Sequence, residues 1–200
     1  FEQATYYHRY TLDIYLHARL LGTAHGLRDV ARVDDALQRL ARVLAWTSRA
    51  DGTIPLFGDE DGGRVLFLDA RPGDDVRAVL ATIAALVGDP MLAHAGDGAS
   101  DEVAWLLGQG GCHRLQRLPA APPAETAHAC RDGGLYVMRD GWGPAAAVLS
   151  VDCGPLGTAN GGHAHADTLA FDLAVGSCPV FVDAGTVSYT TSAGERDRMR

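Results

Sequence analysis

The chain has 200 residues, 47% of them apolar, enough to bury a substantial core as one large domain or two small ones. Its formal net charge is −8, and all 17 basic residues are arginine. An acidic chain without a basic cluster is a poor nucleic-acid binder, and no apolar run approaches the ~20 residues that span a bilayer.

The sequence opens at Phe1 and stops in a charged run, "ERDRMR", so it reads as a piece of a longer protein, with no signal peptide inside it. Residues 4–21 place Tyr7, Tyr10, Ile14 and Leu21 near one helical face, with Gly22 ending the run. A second helix is expected over 29–50, through Val30, Val33, Leu37, Leu40 and Leu44, with Asp29 as N-cap. A third covers 74–87 and is stopped by Gly88 and Pro90. A fourth, short helix follows Ser100, whose hydroxyl can cap it, with Asp101 and Glu102 in the first turn. Between the second and third, "PLFGDEDGGRVLFLD" (55–69) reads as a solvated turn at the helix ends.

The texture changes at the proline-rich "PAAPPAET", 119–126. Helical periodicity over 1–118 gives way, after a linker over 119–129, to short glycine-punctuated runs over 130–200. Leu169, Phe171, Leu173 and Val175 alternate with Thr168, Ala170, Asp172 and Ala174 as in a half-buried strand, and Gly176-Ser177 can turn it into the next. Helices first and antiparallel strands second make an α+β order, expected as two domains. The cysteines, Cys112, Cys130, Cys153 and Cys178, lack zinc-cluster spacing; their even number permits pairing without fixing a compartment.

Ahead of that strand, "NGGHAHADTLAFDL" (160–173) puts His163, His165 and Asp167 within five positions, and "VFVDAGTVSY" follows. Two histidines one residue apart in an extended chain point to the same side. Polar residues at a strand edge account for them equally well, just as Tyr7 on an apolar face can be a core aromatic and Asp183 a turn residue.

Together Gly162, His163, His165, Asp167, Val182, Asp183, Gly185 and Thr186 resemble the opening of the C-terminal β-domain of the heparinase II/III family of polysaccharide lyases. The N-terminal "FEQATYYHRYTLDIYL" is similar to an aromatic-rich helical segment of that family, and "GDEDGGR" to one of its loops. The resemblance implies part of an α/α toroid followed by an incomplete antiparallel β-sandwich, and β-elimination of a uronic-acid-containing polysaccharide. It implies catalytic roles for His163 and Tyr7, with Tyr6 as the fallback one position away. Glu2, His8 and Arg64 are the accompanying substrate-binding candidates. His165 and Asp183 match two ligands of a structural zinc ion, with Asp167 or a backbone carbonyl orienting the imidazoles. The family's third ligand, a later histidine, falls beyond Arg200, and its carboxylate-neutralising residue falls before Phe1. A periplasmic or extracellular setting is implied by the resemblance alone.

The residue types suit that chemistry. Elimination needs a base for the proton beside the carboxyl, an acid for the departing oxygen and donors for the charge that gathers on the carboxylate. Tyrosine and histidine cover the first two. The expected partner is an acidic polysaccharide, for which Arg9, Arg64, Arg139, Arg196 and Arg198 are the candidate contacts. A non-catalytic carbohydrate-binding or exopolysaccharide-assembly protein is the alternative. A cupin-like metal enzyme is set aside, because Thr168 and Leu169 stand where its glutamate belongs. A plain hairpin about Gly176-Ser177 would leave His165 roughly 17 Å from Asp183 at strand rise. Both reach one ion only if "HAHAD" leaves the strand and folds back.

Overall fold

In the computed structural model, residues 3–26, 28–98, 100–157, 161–165, 167–183, 185, 192–194 and 198 are described. Glu2, Arg196 and Thr186 therefore lie outside the described residues. Five helices precede five strands. They are α1 (Thr5–Ala24), α2 (Ala31–Thr47), α3 (Arg77–Val87), α4 (Pro90–Ala95), α5 (Asp101–Arg117), β1 (Ala127–Cys130), β2 (Leu135–Arg139), β3 (Ala147–Asp152), β4 (Phe171–Val175) and β5 (Cys178–Phe181). The strands form one antiparallel sheet in the order β1-β2-β3-β4-β5, and β4 turns into β5 at Gly176-Ser177 as expected. The first strand begins inside the stretch read as linker.

Helix α1 turns a different face inward from the one the apolar pattern selects. Tyr6, Arg9, Leu12, Asp13 and Leu16 are buried, whereas Ile14 and Leu21 are exposed. The inward face carries an Arg9–Asp13 pair at 3.0 Å, one helical turn apart, so it is stabilised by an ion pair as well as by apolar contact. Gly22 does not end the helix; a glycine costs about 1 kcal/mol inside a helix without breaking it, and the chain turns off at Gly26, with φ +86°. Asp29 is not the N-cap of α2: Val30 takes that place, without a side-chain cap. The expected apolar positions Leu37 and Leu44 are fully buried.

Helix α3 starts three residues later than expected and ends, as expected, at Gly88 in the left-handed region. Pro90 opens α4 rather than only stopping α3. It sits in the first turn, where its missing N–H is no loss, and Asp89 caps the backbone N–H of Met91 at 2.9 Å. The helix after Ser100 is not short but runs 17 residues, interrupted by a non-helical Gly108, and the Ser100 hydroxyl makes no cap bond. Leu12, Leu37, Leu44, Ile54, Leu80, Ile83, Leu92 and Val103 share one core, to which Val137 and Val148 of the sheet are added.

The sheet is seated through polar residues. Val137, Val148, Ser150, Asp152, Asp172 and Ala174 are buried, while Tyr136, Met138, Phe171 and Val175 are exposed. The alternation expected in β4 is present with its faces exchanged, because small Ala174 and ion-paired Asp172 let the helical part approach closely. Arg49, just past α2, holds Asp172 at 2.6 Å and donates to the Ile54 carbonyl at 3.2 Å. From β2, Arg139 donates to the carbonyls of Trp46 and Ser48 at 2.8 and 2.9 Å, oxygens that the end of α2 leaves without helical partners. All four cysteines are free thiols.

Candidate active site and metal cluster

The stretch 55–61 is the hub of the site. It is tied to the start of α1, where Thr5 N–H donates to the Phe57 carbonyl at 3.0 Å. Two residues on, Asp59 N–H donates to the His163 carbonyl at 2.8 Å. That approach requires Gly58: its φ is +73°, and a Cβ there would lie 2.6 Å from the His163 oxygen. The loop expected as a solvated turn is thus packed against the histidine segment at Gly58 and Asp59, both buried.

This docking brings Tyr7 and His163 together. Their rings stack with centroids 3.9 Å apart and planes 12° from parallel. The Tyr7 hydroxyl donates to Asp61 Oδ2 at 2.9 Å, on the exposed shoulder of the same loop. Tyr6, the fallback, turns into the core, where its hydroxyl is buried without a partner among the described residues and burial raises its pKa. Position 7 therefore presents the phenol to the site.

His8 reaches the groove wall with Nε2–H donating to the Leu40 carbonyl at 2.9 Å. Burial lowers its pKa, so at neutral pH it is an uncharged imidazole with Nδ1 as acceptor. Arg64, expected as a substrate contact, is instead interior. Its side chain is 1% exposed and lies 3.4 Å from Glu102 and 3.7 Å from Asp69. Arg9 is likewise consumed by Asp13, and Arg139 by the end of α2. The arginines that do line the open groove of 1610 Å³ beside Tyr7 and His8 are Arg39, Arg42 and Arg131. Arg42 is held by Asp89 and Arg39 by Asp35, whereas Arg131 carries no ion pair among the described residues. Their spacing along the sequence gives no sign of this grouping, because α2 and the turn after β1 meet only in the fold.

The plain-hairpin geometry does not hold. Residues 161–165 leave the sheet, and β4 begins only at Phe171. His165 Nδ1 lies 3.0 Å from Asp183 Oδ1, and its Nε2 lies 3.1 Å from Asp59 Oδ1. These carboxylates raise the His165 pKa, the hydrogen bond to Asp183 first, against the lowering effect of burial. Asp167 joins them: one ligand atom each from His165, Asp167 and Asp183 falls within 4.8 Å of the others. Asp167 Oδ2 is buried with no hydrogen-bond partner among the described residues, and burial raises the pKa of its carboxyl. A buried orphan carboxylate oxygen beside an imidazole and a second carboxylate is the donor set a divalent cation would satisfy. Two ligands of a tetrahedral zinc stand about 3.3 Å apart, close to the His165–Asp183 separation. The cluster can hold a metal, and Asp167 fits as a ligand rather than only as an orienting partner.

A helical part passes into an antiparallel sheet, and the His-x-His turn lies between β3 and β4 of that sheet. Residues 122–200 match the family described as heparinase II/III-like, C-terminal. A heparan sulfate lyase from Pedobacter heparinus is similar over 100% of this chain and 28% of its own, at 20% identity and TM-score 0.73. A heparinase III gene product aligns with 100% of this chain and 27% of its own, at 18% identity and TM-score 0.75. A further heparinase III structure shows 20% identity and TM-score 0.67, over 99% of this chain and 29% of its own. No curated protein sequence matches the chain. The chain shares the fold of these heparinase structures, its residues 122–200 match the heparinase II/III-like C-terminal family, and it spans under a third of the length of these structures.

Proposed function

We propose that the full-length protein is a polysaccharide lyase that cleaves a uronic-acid-containing polysaccharide by β-elimination, with Tyr7 and His163 as its acid–base pair. The observation that carries this reading is the stacking of Tyr7 on His163, two proton-transfer side chains from the helical part and the sheet part. One group takes the proton beside the uronate carboxyl. The freed electron pair forms the double bond as the C–O4 bond breaks, and the departing oxygen receives a proton from the other group. Tyr7 can serve as the acid, its phenolic proton held on Asp61, and His163 as base or as donor to the carboxylate.

Zinc is the ion proposed for His165, Asp167 and Asp183. It would be structural, fixing the turn that carries His163, and the proton transfers belong to Tyr7 and His163. His8 and Arg131 are proposed to contact the sugar along the groove, His8 as a neutral group and Arg131 as the cation for a polyanion; Glu2, outside the described residues, is kept as a substrate-binding candidate. Arg131→Ala should raise KM with little change in kcat, as expected when binding is lost equally from ground and transition states. Unchanged KM would place the polymer elsewhere.

The direct test is ultraviolet absorbance of the unsaturated uronate product when full-length protein meets a panel of uronate polymers. Product from at least one polymer is expected. A polymer that binds with no product formed would favour the non-catalytic carbohydrate-binding alternative.

A further inference from the structure

A metal-ligating imidazole offers the lone pair of one ring nitrogen, and its other nitrogen then carries a proton that needs an acceptor. At His165 the two nitrogens face different groups. Nδ1 faces Asp183, and Asp167 belongs to the same cluster. Nε2 faces Asp59, 3.1 Å away on the opposite side of the ring. Asp59 is wholly buried and comes from the helical part of the chain. It is not one of the three residues whose ligand atoms converge in the cluster.

We infer that Asp59 is a positioning residue for His165: it holds the Nε2 proton so that Nδ1, together with Asp183 and Asp167, is presented to the cation. The inference rests on the zinc reading above and adds a consequence to it. The same residue's backbone N–H binds the His163 carbonyl. One loop residue from the helical part thus sets the tautomer of the metal-site histidine and the position of its catalytic neighbour. Metal loading and docking of loop 58–61 on the sheet part are thereby coupled, because a cation that binds only the docked arrangement stabilises it.

The test uses full-length wild type and Asp59→Asn, a near-isosteric change that removes the carboxylate charge. Zinc affinity is measured by competition with a chromophoric chelator, and the His165 ring nitrogens are followed by ¹⁵N spectroscopy. Wild type should bind zinc through Nδ1 with Nε2 protonated, and Asp59→Asn should bind roughly 10- to 100-fold more weakly. Equal affinity in the two proteins, or zinc bound through Nε2, would overturn the inference while leaving the zinc site standing. Wild type that binds no zinc would remove the zinc reading and this inference with it. Should Asp59→Asn fail to fold, the wild-type coordination mode decides: zinc bound through Nδ1 with the Nε2 proton hydrogen-bonded to Asp59 supports the inference, and zinc bound through Nε2, or an Nε2 proton with no bond to Asp59, overturns it.

Discussion

Tyr7→Phe in the full-length protein is expected to lower kcat by about 100- to 10,000-fold, the usual contribution of one positioned acid–base group. The substitution removes only the hydroxyl. The ring that stacks on His163 remains, so folding stability should change little. The hydroxyl bonds to Asp61 on an exposed loop, where water can replace that bond. Turnover is read from the unsaturated product, and integrity from the thermal midpoint. A rate near wild type would remove Tyr7 from the chemistry. A falling rate accompanied by a falling midpoint would show that the hydroxyl is structural.

The largest expected effect on stability is that of Arg49→Met. Arg49 and Asp172 form a 2.6 Å pair with side chains 9% and 4% exposed, at the seam between α2 and β4. Removing the guanidinium leaves a buried carboxylate without its cation, which costs about 3–5 kcal/mol. Burial already raises the pKa of Asp172, and Arg49 is the influence that pulls it back down. Without Arg49 the folded pKa rises further above the unfolded one, so the folded state binds the proton more readily. Stability of the variant must then increase as pH falls from neutral toward mildly acidic values and decrease as pH rises. Chemical denaturation of the variant across that range measures the slope, with wild type as reference. Changing both residues to apolar ones should recover much of the loss, because an apolar pair leaves no orphan charge. A loss below 1 kcal/mol for Arg49→Met would mean that water reaches the seam.

The order of helices and strands was legible in the chain, and so were the core positions Leu37 and Leu44 of α2 and Val79, Leu80 and Ile83 of α3. Period and punctuation are local properties: Leu37, Leu44, Val79, Leu80 and Ile83 repeat at helical spacing, and Gly88 and Gly176-Ser177 mark turns that need little context. The resemblance to heparinase II/III-like proteins was legible for the same reason, since "HAHAD" and "VFVDAG" are short contiguous strings. What each element turned inward was not legible. Helix α1 has an aromatic on either side at Tyr6 and Tyr7, and the side that went inward carries Arg9 and Asp13, whose mutual pairing no hydrophobic count registers. Strand β4 shows a regular alternation in which the apolar set faces outward, because Arg49, more than a hundred residues earlier, receives Asp172.

The site divides along the same line. Sequence by itself determined the fold class and drew attention to Tyr7, His163, His165 and Asp183, each carried by a recognisable string. Tertiary structure alone decided that Arg64 is an interior charge, that Arg131 stands on the groove, that Asp167 joins His165 and Asp183 in a cluster able to hold a cation and that Asp59 lies against His165. The physical reason is chain geometry. A strand's rise would have kept His165 and Asp183 roughly 17 Å apart, and only the packing of loop 58–61 against a folded-back turn brings them to 3.0 Å.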